Sequence, residues 1–476
     1  MIYIKTCLEL YEKQTLYSLE SLLRTIGFDY KIYRNEELNE NDILITYGKE
    51  SFKKEIYSQI IIKNYQKLFK VGYKTKDSLP KKVCKTKELV SFFSDDIDYN
   101  YDVIDNLILV NFDIVSDTFF LLSRYEEYVI GNNLENHNRF SIEDSILFKE
   151  SLLDRPIVNE YSIFLKKLIL KLNPKINILD KFFEKGKIFI SHDIDSISKY
   201  NDKFYRKLAS SIIREKNIKK SLSLIGGNFK YILNPKNDPY WKFEYFLELE
   251  KKYGFRASYY FMSGGETTKD NNYSIKNKKL KRIFNELKEY KNEIGIHGSY
   301  NSYNNENVLK HEIDKLENEV NMKIYGIRQH FLRFNIKETW RIHKELGLKY
   351  DSTVGYAENI GFRCGTCSQF KIYDLNEEQE LDYWEIPLII MDTTLNSDSY
   401  MGMDIDLAIE KCKEIYDIVK KYNGVFALLW HNSSLDSNSN WCGWEKVYEE
   451  ILKYAYLENS IGLSGIDIVN LVEKYY

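Results

Sequence analysis

Proline is scarce in this chain, 6 residues in 476, and cysteine, methionine and tryptophan are no commoner. Tyrosine, at 39, is heavily used, as are Lys, Asn and Ile. We read that skew as nucleotide-composition bias rather than function. Long apolar runs are also missing. The longest, such as KIFIS (187–191) and GVFALLW (424–430), are strand-sized, whereas a membrane span needs about 20 apolar residues. The N-terminus, MIYIKTCLELYEK, carries acidic residues within its first dozen positions and no apolar stretch of signal-peptide length. We therefore expect a cytoplasmic protein with no membrane span. There is no surplus of positive charge: the formal net charge is −3, which speaks against a nucleic-acid partner, since phosphate contacts need a clustered basic surface. The six cysteines are scattered apart from Cys364 and Cys367 in CGTC, as befits a reducing compartment. With no second CxxC and no flanking histidine pair, CGTC reads as an ordinary loop. Internal repeats and low-complexity linkers are absent.

What remains is a folded composition, 43% hydrophobic and 29% charged, in a chain too long for one core. Residues 1–110 read as a small α/β domain: a strand in MIYIKTCLEL, an amphipathic helix in TLYSLESLLRTIG ending at Gly27, and strands in DYKIYRN and DILITYG. Residues 111–180 read as a mostly helical connector, with DTFFLLSRYEEYVIG and EYSIFLKKLILKL. From 181 to 476, seven short apolar runs stand out, at 187–191, 256–262, 293–297, 324–328, 349–353, 383–390 and 424–430. Helix-sized periodic segments separate most of them, and Gly355 to Asp382 reads as a long loop. Strand and helix in alternation imply a parallel sheet, closed into a barrel or open and doubly wound. In either arrangement the ligand site lies at the C-terminal ends of the strands.

The polar residues fall at those ends. The first run leads into SHDIDS, with His192, Asp193 and Asp195; the third ends in His297, followed by Gly298, Ser299, Tyr300 and Asn301. The fourth ends in Arg328, then Gln329, His330 and Phe331. The fifth holds Asp351 and Ser352, and the seventh ends in Trp430, then His431 and Asn432. Four of only seven histidines thus sit where neighbouring strands open onto one cleft. Taken singly, a strand-end Asp is a turn former or helix cap, a lone His a structural residue, and Arg328 an ion-pair residue. Their coincidence suits metal-assisted hydrolysis. A carboxylate and imidazoles can hold a divalent cation with a position left open, and the cation polarises a carbonyl and acidifies water. A free carboxylate takes the water proton, and an imidazole protonates the leaving group.

These short motifs, in this order over roughly 185–470, resemble the polysaccharide deacetylases, the NodB-homology or carbohydrate esterase family 4 enzymes. FFLLSRYEEY and RPIVNEY resemble the N-terminal extension of a bacterial subgroup of them. The resemblance implies a distorted (β/α)7 barrel, preceded here by the smaller α/β domain and the helical connector. It carries the base role to Asp193 and a metal-ligand role to Asp195, from HDID. It makes His297 a ligand and puts Asn301 where a second ligand histidine is usual. Arg328 becomes the residue that orients the base, with His330 in place of the usual proline. Leu429, Trp430 and His431 match the motif whose histidine is the general acid, and Asp351 is the candidate for tuning His431. Position favours Asn301 as the third ligand, with His330 the alternative. The implied cofactor is a divalent metal, zinc by expectation. The implied activity is removal of an N-acyl group, acetyl first, from an amino sugar, and the expected location points to a nucleotide-linked or lipid-linked glycan precursor. Tyr300, Phe331, Trp384 and Trp430 are candidates for stacking on a sugar, or for core packing. Arg363, in GFRCGTC, is a candidate for an anionic substrate group, with a structural ion pair as the alternative. Other C–N hydrolysis on the same scaffold, deformylation or ring-amide opening, and a non-catalytic glycan-binding barrel stay open.

Overall fold

The structure is a computed structural model and describes residues 1–48, 55–96, 101–132, 137–200, 238–270 and 273–476. The first part is built on a six-stranded sheet. Its strands run in the order Tyr30–Ile32, Ile2–Thr6, Ile43–Tyr47, Ser58–Ile62, Leu107–Val110 and Tyr101–Ile104, and only the last pairing is antiparallel. Leu16, Leu19, Leu22, Leu23 and Ile26 recur at helical spacing and are buried, so the helix Glu12–Ile26 forms around one apolar stripe. It ends at Gly27 as expected. The helical stretches expected after residue 111 are Ile114–Leu122, Tyr125–Ile130 and Ile157–Leu172. The first and last of them pack against Glu12–Ile26.

The second part is a curled sheet with helices outside it. In spatial order its strands are Phe370–Asp374, Gln379–Glu385, Tyr350–Asp351, Gly326–Gln329, Glu293–Gly298, Ala257–Phe261, Lys187–Ile194, Val425–Leu429 and Ile390–Met391. Ile461–Gly462 pairs with the start of Lys187–Ile194. All pairings are parallel except the first. The run expected at 383–390 is divided between both ends of the sheet. Its first half pairs with Tyr350–Asp351 and its end with Val425–Leu429. Between them Leu388 N–H donates to Val354 O and Ile389 N–H to Ala427 O, so this irregular stretch brings the two edges together and curls the sheet towards a barrel.

Two glycines let the interior fill. A Cβ on Gly295 would lie 2.4 Å from the Tyr260 ring, and one on Gly326 2.3 Å from the Tyr350 ring. Without those side chains the two tyrosines occupy the barrel, hydroxyl to hydroxyl at 2.8 Å. Tyr350 O–H then donates to Glu293 Oε2 at 2.7 Å. The Tyr260 ring is the floor beneath Arg328, 4.9 Å from the guanidinium carbon.

The expected long loop Gly355–Asp382 contains a strand, Phe370–Asp374, antiparallel to Gln379–Glu385. Its turn places Glu378 at φ 50°, where Gly or Asn would have signalled a hairpin. One apolar core runs from the first sheet through these elements to the barrel. Among the described residues no helix is long and apolar enough to cross a membrane.

Candidate metal and catalytic site

Side chains alternate along a strand, and Lys187–Ile194 uses that to separate its polar residues. His192 points towards the helix Phe243–Tyr253. Its Nε2 lies 2.8 Å from Glu250 Oε1, its Nδ1 donates to Trp430 O at 2.7 Å, and its ring stacks on Phe246. The expectation that four histidines share the cleft is therefore corrected to three: His192 belongs to the packing behind the strand. Ser191 and Asp193 face the interior, and Asp195 follows just past the strand end.

At the mouth of the barrel, Asp195, His297 and His330 each offer one donor atom, all within 4.8 Å of one another. His297 Nδ1 lies 2.9 Å from Arg328 O. A carbonyl only accepts, so Nδ1 carries a proton, and Nε2 is the nitrogen turned to the cavity that could ligate a cation. That nitrogen is 3.2 Å from Asp195 Oδ1, and His330 Nε2 is 3.6 Å from the same oxygen. The oxygen is buried and has no hydrogen-bond partner. Donors about 2.0–2.2 Å from a tetrahedral zinc stand roughly 3.4 Å apart, so this spacing fits a cation between them. Burial raises the Asp195 pKa, but the three imidazoles His330, His297 and His431 outweigh it and hold the carboxylate well below its usual range. Burial likewise lowers His297, and Asp193 with Asp195 more than reverses it.

His330 sits at the start of a turn in which Phe331 has φ 61° and Leu332 φ 51°. Left-handed backbone costs a bulky residue about 1–2 kcal/mol, so two in succession need outside support. Asp270 Oδ1 faces the second ring nitrogen of His330, Nδ1, at 3.6 Å.

Two further pairs flank the trio. Arg328 donates from Nη1 to Asp193 Oδ1 at 3.1 Å and to Ser191 Oγ, from Nε to Ser352 O and from Nη2 to Ser352 Oγ. Its plane is fixed, and it fixes Asp193. On the other side, His431 Nδ1 is 2.7 Å from Asp392 Oδ1, and Asp392 Oδ2 accepts the His431 backbone N–H at 2.6 Å. His431 Nε2 faces the cavity, 3.9 Å from Asp195 Oδ2. Burial pushes His431 down, but the Asp392 carboxylate beside it reverses that and holds the imidazole up at about 10. Asp193, Asp195, His297, His330 and His431 all line one cavity.

Several expected residues lie elsewhere. Asn301 is exposed, does not line the cavity, and its Oδ1 accepts from Arg333 Nη1 at 3.3 Å. The amide is turned to a neighbouring arginine and not to the trio. Asp351 does not reach His431; it accepts from the Thr353 N–H and hydroxyl in a buried cluster with His343 and Glu385, where burial raises its pKa. The partner of His431 is Asp392, which sequence reasoning missed although it directly follows a strand, the same signal used for the other residues. Arg363 is buried and paired with Glu127, Nε to Oε1 and Nη2 to Oε2, each at 2.9 Å, the structural alternative. Trp430 and Trp384 are buried in the core. The Tyr300 hydroxyl is 3.0 Å from His137 Nδ1, outside the cavity lining, which Phe331 does join. Asp270 and Arg139, also missed, had no local signal.

A family model described as "Family of unknown function (DUF7033)" matches residues 4–174, the part before the barrel. No curated protein matches the chain. Among solved structures, a putative polysaccharide deacetylase from Mycobacterium smegmatis is 13% identical with a TM-score of 0.41, over 61% of this chain and 91% of that one. A probable polysaccharide deacetylase from Pseudomonas aeruginosa PAO1 is 12% identical with a TM-score of 0.40, over 60% and 90%. A PuuE allantoinase is 11% identical with a TM-score of 0.38, over 60% and 88%.

Proposed function

We propose that this chain is a divalent-metal-dependent hydrolase that removes an N-acyl group, acetyl in the first place, from an amino sugar in a glycan or glycan precursor. The observation that carries the reading is the unpartnered Asp195 Oδ1 facing two imidazole nitrogens, between a carboxylate–arginine pair and an imidazole–carboxylate pair. Asp195, His297 and His330 would hold the cation, zinc by the chemistry of a two-nitrogen, one-oxygen set. When bound, such a cation is a Lewis acid towards a carbonyl and makes water more acidic.

The chain's own residues do the proton work. Asp193, fixed by Arg328, accepts a proton from the attacking water as its oxygen bonds to the acyl carbon. His431 donates its Nδ1 proton to Asp392, and the charge of that carboxylate keeps a second proton on Nε2. It gives that proton to the sugar nitrogen as the C–N bond breaks. The products are a carboxylic acid and a free amine. The sugar class comes from the motif resemblance in the sequence.

The test is acetate release from N-acetylglucosamine oligomers and from a nucleotide-linked N-acetyl sugar, and formate release from the N-formyl analogue of that sugar, with zinc supplied. Acetate release should stop with chelator and return with zinc. Asp193→Asn and His431→Ala should each lose about 10² to 10⁴ in turnover with folding intact, the usual range for general acid–base groups. Formate in place of acetate would move the reading to deformylation, and full turnover in either variant would remove that residue from its role.

A further inference from the structure

The strained turn that presents His330 is held from outside the barrel. Within it, no side chain caps the His330–Leu332 segment. The support comes from Asn132, His137 and Arg139, inside the stretch that the family of unknown function matches. Arg139 Nη1 donates to Phe331 O at 3.1 Å. The His137 ring lies 4.7 Å from the Phe331 ring, and His137 O accepts from Arg333 Nε at 2.8 Å. Asn132 Nδ2 donates to Phe334 O at 2.7 Å. Arg139 is 5% exposed, lines the cavity that holds the metal trio, and is steadied by Glu358 at 3.0 Å.

We propose that Arg139 is a positioning residue for the metal site: by holding the Phe331 carbonyl it keeps the left-handed turn that aims His330 Nε2 at Asp195. The N-terminal region then supplies part of the construction of a site whose ligands all lie in the barrel. Hydrogen-bond partners behind a ligand typically change metal affinity by about 10- to 100-fold, and a device that sets the direction of a ligand belongs in that range. The proposal rests on the reading of His330 as a metal ligand.

The experiment measures zinc affinity of the full chain by competition with a chromophoric chelator, alongside thermal unfolding without metal. Arg139→Ala should bind zinc about tenfold or more weakly. Should it fail to fold, Arg139→Met keeps the buried stem, removes every donor and carries the same expectation. Arg139→Lys can still donate to the carbonyl and should fall nearer to wild type than Arg139→Met; the reverse order overturns the proposal. A variant that merely loosened the fold would lower the unfolding temperature and leave the affinity of the folded protein unchanged. Wild-type affinity in folded Arg139→Ala or Arg139→Met, with His330→Ala weakened, overturns the positioning role alone. Wild-type affinity in His330→Ala overturns the ligand reading beneath it.

Discussion

His431 shows how one neighbour decides what a side chain can do. Burial alone would leave its imidazole neutral at pH 7 and useless as a donor; Asp392 reverses that. The folded pKa is above the unfolded value of about 6.5. The pair's contribution to stability is therefore complete below about pH 6.5 and fades as pH rises towards the folded pKa. Asp392→Asn keeps the shape and removes the charge. The alkaline limb of kcat should then move to lower pH than in wild type, because His431 loses its proton sooner. A pH–rate profile checks this, and a limb that stays in place would contradict it. At this scale the sequence was informative where a residue ends its own strand: Asp193, Asp195, His297, Arg328 and His431 were all found that way; four of them line one cavity, and Arg328 is buried behind Asp193. It failed where the partner comes from another element. The resemblance made Asp351 the candidate for tuning His431, but its side chain turns to Thr353, while Asp392 follows the strand Ile390–Met391 that pairs with Val425–Leu429.

Among the elements, alternation and helix-sized spacing made the parallel sheet legible, since Lys187–Ile194, Ala257–Phe261 and Glu293–Gly298 are buried along their whole length and must read as apolar runs. The same rule misjudged the run at 383–390, because one continuous apolar stretch serves two opposite edges. Phe370–Asp374 was passed over because the Glu378 turn lacks the usual residue. The His330–Leu332 turn was not legible at all. Phe and Leu carry no preference for left-handed backbone, so that conformation is imposed by Arg139 and its neighbours, far away in sequence. The choice between Asn301 and His330 turned on this segment. The motif resemblance pointed to Asn301, and a turn that no motif reveals brings His330 to Asp195.

Across the whole molecule, the helix Tyr125–Ile130 locks the first part to the barrel. Glu127 sits between Arg124 and Arg363, all three at most 3% exposed. Burial would raise the Glu127 pKa, but Arg363 and Arg124 hold it below its usual range. Glu127→Ala would strand two buried guanidinium groups and should cost about 3–5 kcal/mol, read as a lowered denaturant midpoint; a loss under about 1 kcal/mol would mean that the junction does not depend on the ion pairs. The lock unites two parts that the sequence presents as separate, and Arg139, paired with Glu358, is a second tie between them. The cation grip of the cavity is tested most directly by anomalous diffraction at the zinc edge from crystals of the full chain grown with zinc. The expected result is one strong peak bounded by Asp195 Oδ1, His297 Nε2 and His330 Nε2. A peak beside Asn301 with His330 turned away would contradict the ligand set, and no peak in the cavity would contradict the hydrolase reading itself.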